Sequence, residues 1–231
     1  MLDYRLFSRL QYMGIGGPEV QAGLWPASGE WWEPSGSFTC VAAYQAKGAA
    51  SLAASYVNLA NPGTYDAAPG TAPSFNTATG WTFNAELSQY LTTGIVRGDY
   101  NWSLIARFSN ASARSLVGSS YGSGGSSIEF YVDPYLSGAR YYANGLWGGG
   151  EAAVTSGVMA VGGLKRYLDG SPDGADLTAR AGDAVRAITI GRIQRDSFTS
   201  YYTGNIEAVA IYSTTLDATQ IAQVTTRMNT L

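Results

Sequence analysis

Short runs of alternating apolar and polar residues recur along the chain, and their period is two. Ile188 and Ile190 alternate with Thr189 and stop at Gly191, the pattern of a half-buried strand closed by glycine. Residues 205–212, Asn-Ile-Glu-Ala-Val-Ala-Ile-Tyr, are apolar at both parities, which predicts a central strand covered on both faces. Trp102, Leu104, Ala106 and Phe108 alternate with Asn101, Ser103, Ile105 and Arg107. Ile128, Phe130 and Val132 alternate with Ser127, Glu129 and Tyr131, and Asp133-Pro134 ends that run. Asn144-Gly145 predicts a two-residue hairpin turn between Arg140-Tyr141-Tyr142 and Leu146-Trp147. Residues 40–44 read as a first strand, and Trp81-Thr82-Phe83 with Tyr90-Leu91-Thr92 as a hairpin-like pair. Residues 118–125 read as a serine and glycine loop, and periodicity does not assign the alanine-rich stretch 46–60. Strands of this length with turn signals between them describe an antiparallel sandwich rather than alternating β and α units.

One helix is predicted, after the last strand. Asp217 can accept from the first free backbone amides and Gln220 can reach back to the cap, while Leu216 and Ile221 form a hydrophobic staple. Ile221, Val224 and Met228 continue one apolar stripe. The order Tyr-Leu-Asp-Gly (167–170), Ile-Thr-Ile-Gly-Arg (188–192), Tyr-Thr-Gly-Asn-Ile-Glu (202–207), Ala-Ile-Tyr-Ser (210–213) and Thr-Leu-Asp-Ala-Thr-Gln-Ile (215–221) resembles the laminin-G-like branch of the concanavalin A-like lectin/glucanase superfamily. The likeness extends back to about Val41. It implies an all-β, antiparallel jelly-roll β-sandwich with a short C-terminal helix, and leaves function open among lectins, glycosidases, adhesive modules and structural domains. The run from Lys47 to Asp66 is similar to the opening of laminin-G-like proteins encoded by bacteriophages and bacteria, which points towards a virion.

Composition narrows the partners. Charged residues make up 13% of the 231-residue chain, against about 25% in an average soluble protein, so the surface is polar but sparsely charged. The formal charge is −3, and no basic run could track a phosphate backbone; nucleic acid is not an expected partner. No apolar stretch approaches the ~20 residues that cross a bilayer, and residues 1–5 open no secretory leader, so neither membrane insertion nor export by that route is expected. Cys40 is alone and reads as a packing cysteine. Residues 1–37 are broken by glycine and proline yet carry Trp25, Trp31 and Trp32. They form an N-terminal extension before a sandwich at 38–231, either folded back on it or docked as an arm on another subunit, with the three tryptophans as assembly contacts.

The search for chemistry predicts a non-enzyme. There is no histidine, which removes the usual triad base and zinc ligand, and no strand carries the paired carboxylates of this superfamily's glycosidases. Glu129 and Asp133 share a strand face but Tyr131 stands between them. No cofactor is expected; calcium is the one to weigh, with Asp169, Asp173 and Asp176 as oxygen ligands, although Asp169-Gly170 and Asp173-Gly174 are also turn sequences. Sugar recognition would use aromatic faces beside Asn and Asp: Tyr141, Tyr142, Asn144 and Trp147 at the hairpin, or Asp196, Tyr201 and Tyr202 before the last strand. Two functions follow. One is a structural virion component, assembled in the host cytoplasm, whose partners are other virion subunits or its own copies and cell-surface glycans. The other is a carbohydrate-binding lectin module at a cell surface or outside the cell.

Overall fold

The computed structural model describes residues 29–97, 101–113, 116–121, 128–134, 140–143, 146–149, 153–178, 186–194 and 199–231. They form two stacked antiparallel sheets, as expected of a β-sandwich. The first sheet runs β13 (Ser171–Pro172), β12 (Lys165–Leu168), β11 (Gly157–Gly162), β6 (Ser103–Ala113), β17 (Thr203–Tyr212), β4 (Gly80–Phe83), β3 (Ser74–Asn76). Beside β4, β1 (Cys40–Gln45) shares the same edge of β17, taking residues 208–212 while β4 takes 204–206. The second sheet runs β10 (Leu146–Gly149), β9 (Arg140–Ala143), β8 (Ile128–Asp133), β7 (Val117–Tyr121), β14 (Ala187–Ile190), β5 (Tyr90–Val96), β2 (Ala68–Thr71). A separate two-stranded ladder pairs β15 (Arg192–Gln194) with β16 (Thr199–Tyr201).

The alternating positions meet between the sheets. Leu104, Ala106 and Phe108 of β6 and Ile206, Val209 and Ile211 of β17 face Phe130, Val132, Ile188 and Ile190 of the second sheet in one core. The other face of the first sheet is apolar too, because β17 also turns out Ala208, Ala210 and Tyr212. Helix α2 (Ala218–Met228) covers that face with Ile221, Val224 and Met228, and Trp31 and Trp32 pack beside it. The helix begins in the predicted capping box: the Gln220 amide donates to Asp217 Oδ1 at 2.8 Å and the Asp217 amide to Gln220 Oε1 at 3.0 Å. A single helical turn, α1 (Leu52–Ser55), lies in the alanine-rich stretch, and Ser55 Oγ receives the Trp81 indole N–H at 2.7 Å.

Three expectations are corrected. Trp81-Thr82-Phe83 and Tyr90-Leu91-Thr92 form no hairpin: β4 pairs with β17 and β3, β5 with β14 and β2, and a 3-10 turn at Ala85–Leu87 carries the chain from one sheet to the other. The loop expected from 118 onward is strand to Tyr121, paired with β7's neighbours β8 and β14. Trp31 and Trp32 are buried in their own chain, with the Tyr212 hydroxyl donating to the Trp32 carbonyl at 2.7 Å. Arg227, Gln220 and Gln223 tie residues 30–35 to α2 through the carbonyls of Glu30 and Ser35 and the Ser35 hydroxyl. The two rings are therefore occupied within the fold, not offered to another subunit; Trp25 lies outside the described residues. Among the described residues, no helix is long and apolar enough to cross a membrane.

Two measurements follow from this packing. Asp217→Ala removes one half of the capping box and should cost about 1 kcal/mol in urea unfolding; an unchanged midpoint would show that packing alone holds α2. Burial pushes the Cys40 thiol from 9.0 up to about 12 and raises the phenols of Tyr44, Tyr202 and Tyr212 above 10.0. These groups ionise more readily once unfolded. Stability should be intact below about pH 8.5, where both states keep the protons, and should fall as pH rises above it towards the folded values. Urea midpoints at neutral pH and at about pH 10.5 test this, and equal midpoints would contradict it.

Candidate functional site

Where β14 meets β5, the outer face of the second sheet is polar. Parity sends Ile190 and Leu91 into the core and leaves their neighbours Thr189 and Thr92, paired across β14 and β5, facing outward. Gly191 then turns the chain sharply: its φ is +81°, and a Cβ there would stand 2.5 Å from the Phe83 ring. The turn lays the β15–β16 hairpin over the sheet. Ile193 packs on Tyr131 of β8, and both are buried. Gly118, between them in β7, has a φ of +148° and no room for a Cβ, which would lie 2.2 Å from the Phe130 carbonyl. The Thr189 hydroxyl reaches the carbonyls of Arg192 at 2.5 Å and Gly118 at 3.3 Å, fixing the hairpin's root to the sheet.

A pocket of about 230 Å³ opens where the hairpin meets the sheet, lined by Thr92, Ser119, Ser120, Arg186, Ala187, Thr189, Arg192 and Gln194. Its described lining includes two arginines, Arg186 and Arg192. Arg186 Nη1 donates to the Gln194 carbonyl at 3.1 Å, which bridges the start of β14 to the end of β15. The Arg192 guanidinium lies over the Tyr90 ring, 3.5 Å from its centroid, and Tyr90 in turn meets Tyr201 at 6.4 Å. Tyr201 pairs directly with Arg192 across the hairpin, so the rim is aromatic and the floor is hydroxyl-rich.

Of the expected sugar-binding residues, Tyr201 is half-buried at this rim. Tyr202, one residue on, points the other way: it is fully buried, 6.3 Å from Phe83, and is corrected from ligand contact to core. Asn144 and Asp196 lie outside the described residues, as do the side chains of Tyr141, Tyr142 and Trp147, whose strands β9 and β10 pair as the predicted hairpin. The expected calcium ligands do not converge, and among the described residues no group of three or more acids, cysteines or histidines could hold a metal ion. Asp169 instead accepts the Val158 amide at 2.8 Å from a left-handed turn position, and Asp176 is exposed, 4.0 Å from the Lys165 ammonium. Arg186, Arg192 and Tyr90 were missed by sequence reasoning. The available signal was an arginine at each end of an Ile-Thr-Ile strand, one directly after the turning glycine.

No protein-family model and no curated protein matches the chain. Solved structures do. Trypanosoma rangeli sialidase in complex with 2,3-difluorosialic acid, as the covalent intermediate, superposes with a TM-score of 0.56 at 13% identity, over 81% of this chain and 32% of that one. A mutant of the same sialidase displaying trans-sialidase activity gives 0.53 at 14%, over 82% and 33%. A botulinum neurotoxin type C structure, described by its dependence on two ganglioside molecules for cell entry, gives 0.52 at 11%, over 82% and 51%. The chain thus spans about a third of the length of the sialidase chains it matches. At this identity the likeness is one of fold, an antiparallel β-sandwich, and it agrees with the fold that the laminin-G-like resemblance implies.

The expectation of a non-enzyme is corrected by the same matches, which include sialidases. That expectation leaned on the absence of histidine and of paired strand carboxylates. Sialidases work with a tyrosine nucleophile, so neither absence excludes catalysis.

The hairpin's anchorage gives a test. Ile193→Ala empties its contact with Tyr131 and should cost roughly 2–4 kcal/mol, and hydrogen exchange should show residues 192–201 opening ahead of the sheets. Exchange from the hairpin no faster than from β14 would mean that the hydrogen bonds at its root suffice.

Proposed function

We propose that the chain is a carbohydrate-binding, lectin-like module whose glycan sits in the pocket between β14 and the β15–β16 hairpin. The observation that carries this reading is the pocket's construction. Thr92, Ser119, Ser120, Thr189, Gln194 and two arginines line one concavity, with Tyr90 stacked on Arg192 and Tyr201 beside it. Sugar hydroxyls need such directional partners, and a pyranose face needs an aromatic one. At about 230 Å³ the pocket lies below the range of roughly 300–1,000 Å³ that encloses drug-sized ligands, so its occupant is about one sugar unit reached from solvent. The sandwich of the ganglioside-dependent toxin supports the reading at the level of fold. A place for the module in a virion, beside other subunits or its own copies, rests on the likeness of residues 47–66 alone.

The full chain should bind at least one member of a panel of neutral and acidic oligosaccharides at submillimolar concentration, read by calorimetry. Tyr201→Ala should weaken that binding about fivefold, equivalent to ~1 kcal/mol, with the melting temperature little changed. Failure to bind any member at millimolar concentration would overturn the proposal.

A further inference from the structure

Tyr65 holds a backbone conformation that its side chain does not suit. Its φ is +60°, and among the described residues it is the one bulky side chain in the left-handed region, beside Ser88, Asn110 and Asp169. Asparagine and aspartate tolerate that region through local hydrogen bonds, whereas a ring on Cβ only adds crowding. Buried groups enforce the conformation from below. The Tyr44 hydroxyl donates to the Tyr65 carbonyl at 2.5 Å, Asn58 Nδ2 to the Thr64 carbonyl at 2.8 Å, and the Asn58 amide to Asp66 Oδ1 at 2.8 Å. Tyr44 and Asn58 are themselves fully buried, while the Tyr65 side chain is turned out to solvent, 46% exposed. Glycine or asparagine would serve this turn with less strain. Strain that a fold enforces without burying the side chain points to a contact outside the fold.

The ring stands beside the pocket. Thr92 pairs with Thr189 across β5 and β14, and Val96 with Ala187; Thr92, Thr189 and Ala187 all line the cavity. Gly94 lies on β5 between the two pairs and is exposed, so it flanks the same cavity. A Cβ on Gly94 would lie 3.8 Å from Tyr65 Cδ1 and within 4 Å of no other atom beyond its chain neighbours. Glycine thus leaves no side chain between the ring and the cavity. Tyr65 approaches from the far edge of β5, where β2, three residues further on, makes its ladder. Val96 is 51% exposed next to it. Tyr65, Gly94 and Val96 form an apolar shelf about one strand spacing, roughly 5 Å, from the polar cavity.

Resting on the glycan-binding reading above, we infer that the ligand is an oligosaccharide, with one unit in the pocket and a neighbouring unit stacked on Tyr65 across the Gly94 shelf. A pyranose carries its C–H groups on a face and its hydroxyls at the edges, so a unit lying on this shelf needs an aromatic plane and few polar partners. Tyr201 at the hairpin rim then serves the unit in the pocket, and Tyr65 reads the length of the chain.

The probes are glucose, mannose, xylose and galacturonate with their 1,4-linked di- to tetrasaccharides, titrated calorimetrically into the full chain. In at least one series, a tri- or tetrasaccharide should bind about fivefold or more tighter than its monosaccharide. Tyr65→Gly should erase that gain, keep the monosaccharide affinity within about twofold, and leave the melting temperature unchanged or raised, because glycine accepts this φ without strain. Tyr65→Phe should keep the gain. Equal affinity at every length, or a gain that survives in Tyr65→Gly, overturns the second subsite and leaves the pocket standing. Loss of the monosaccharide along with the longer chains in Tyr65→Gly places the ring in the pocket's own contact and overturns it too. A melting temperature lowered in both Tyr65→Gly and Tyr65→Asn shows that the ring serves the fold, which also overturns it. No binding in any series or in the wider panel overturns both readings.

Discussion

The burial of β17 on both faces is the constraint on which the rest of the fold depends. Ile206, Val209 and Ile211 enter the core between the sheets, and a bulge between Ile206 and Ala208 lets Ala208, Ala210 and Tyr212 face outward. A strand of this kind cannot sit in a sheet with one wet face. The chain resolves this by laying α2 and residues 29–37 across it. Where β17 turns out the carboxylate of Glu207, β6 and the turn after β1 supply a polar answer. Glu207 pairs with Arg107 at 3.0 Å and Lys47 at 3.2 Å and accepts from the Ser109 hydroxyl at 2.8 Å. Arg107 continues to the carbonyls of Met228 and Leu231, so the end of α2 is fastened to the strand it covers. A buried acid with one partner would be a liability; with this many it specifies which face is covered and in what register.

That cover leaves the second sheet to supply the working surface. Its outer positions near the hairpin are Thr92, Thr189 and Gly118, which bury little apolar area, and the hairpin lies down there on the contact of Ile193 with Tyr131 and the hydrogen bonds of the Thr189 hydroxyl. The division is economical in physical terms. One outer face is apolar and consumed by packing; the other, around β14 and β5, carries the threonines Thr92 and Thr189.

The sequence disclosed what depends on neighbouring residues and concealed what depends on distant ones. The alternation in β6, β8 and β14, the two-sided character of β17 and the capping box of α2 are local patterns, and each appears at the predicted positions. Which sheet a strand joins is not local. Trp81-Thr82-Phe83 and Tyr90-Leu91-Thr92 are adjacent in sequence and sit in opposite sheets because Asn84 caps a short turn that redirects the chain. The same limit hid the site. Tyr201 and Tyr202 look equivalent in sequence, and only strand parity sends one to the rim and the other beside Phe83. Arg192 reads as the polar residue after a strand; its place over Tyr90 requires Gly191 to bring β15 back across β5. The three aspartates of 169–176 looked like a set because they are close in sequence, whereas Asp169 is committed to the Val158 amide.

Rigid scaffolding explains how such a small pocket could bind at all. Each lining residue sits on a strand or immediately beside one, so its backbone is held by ladder bonds before any ligand arrives. Arg192, which would otherwise lose the most rotamer freedom on binding, has already lost much of it against Tyr90. Ordering long side chains is a large part of what weakens small-ligand recognition, and here folding has borne it in advance.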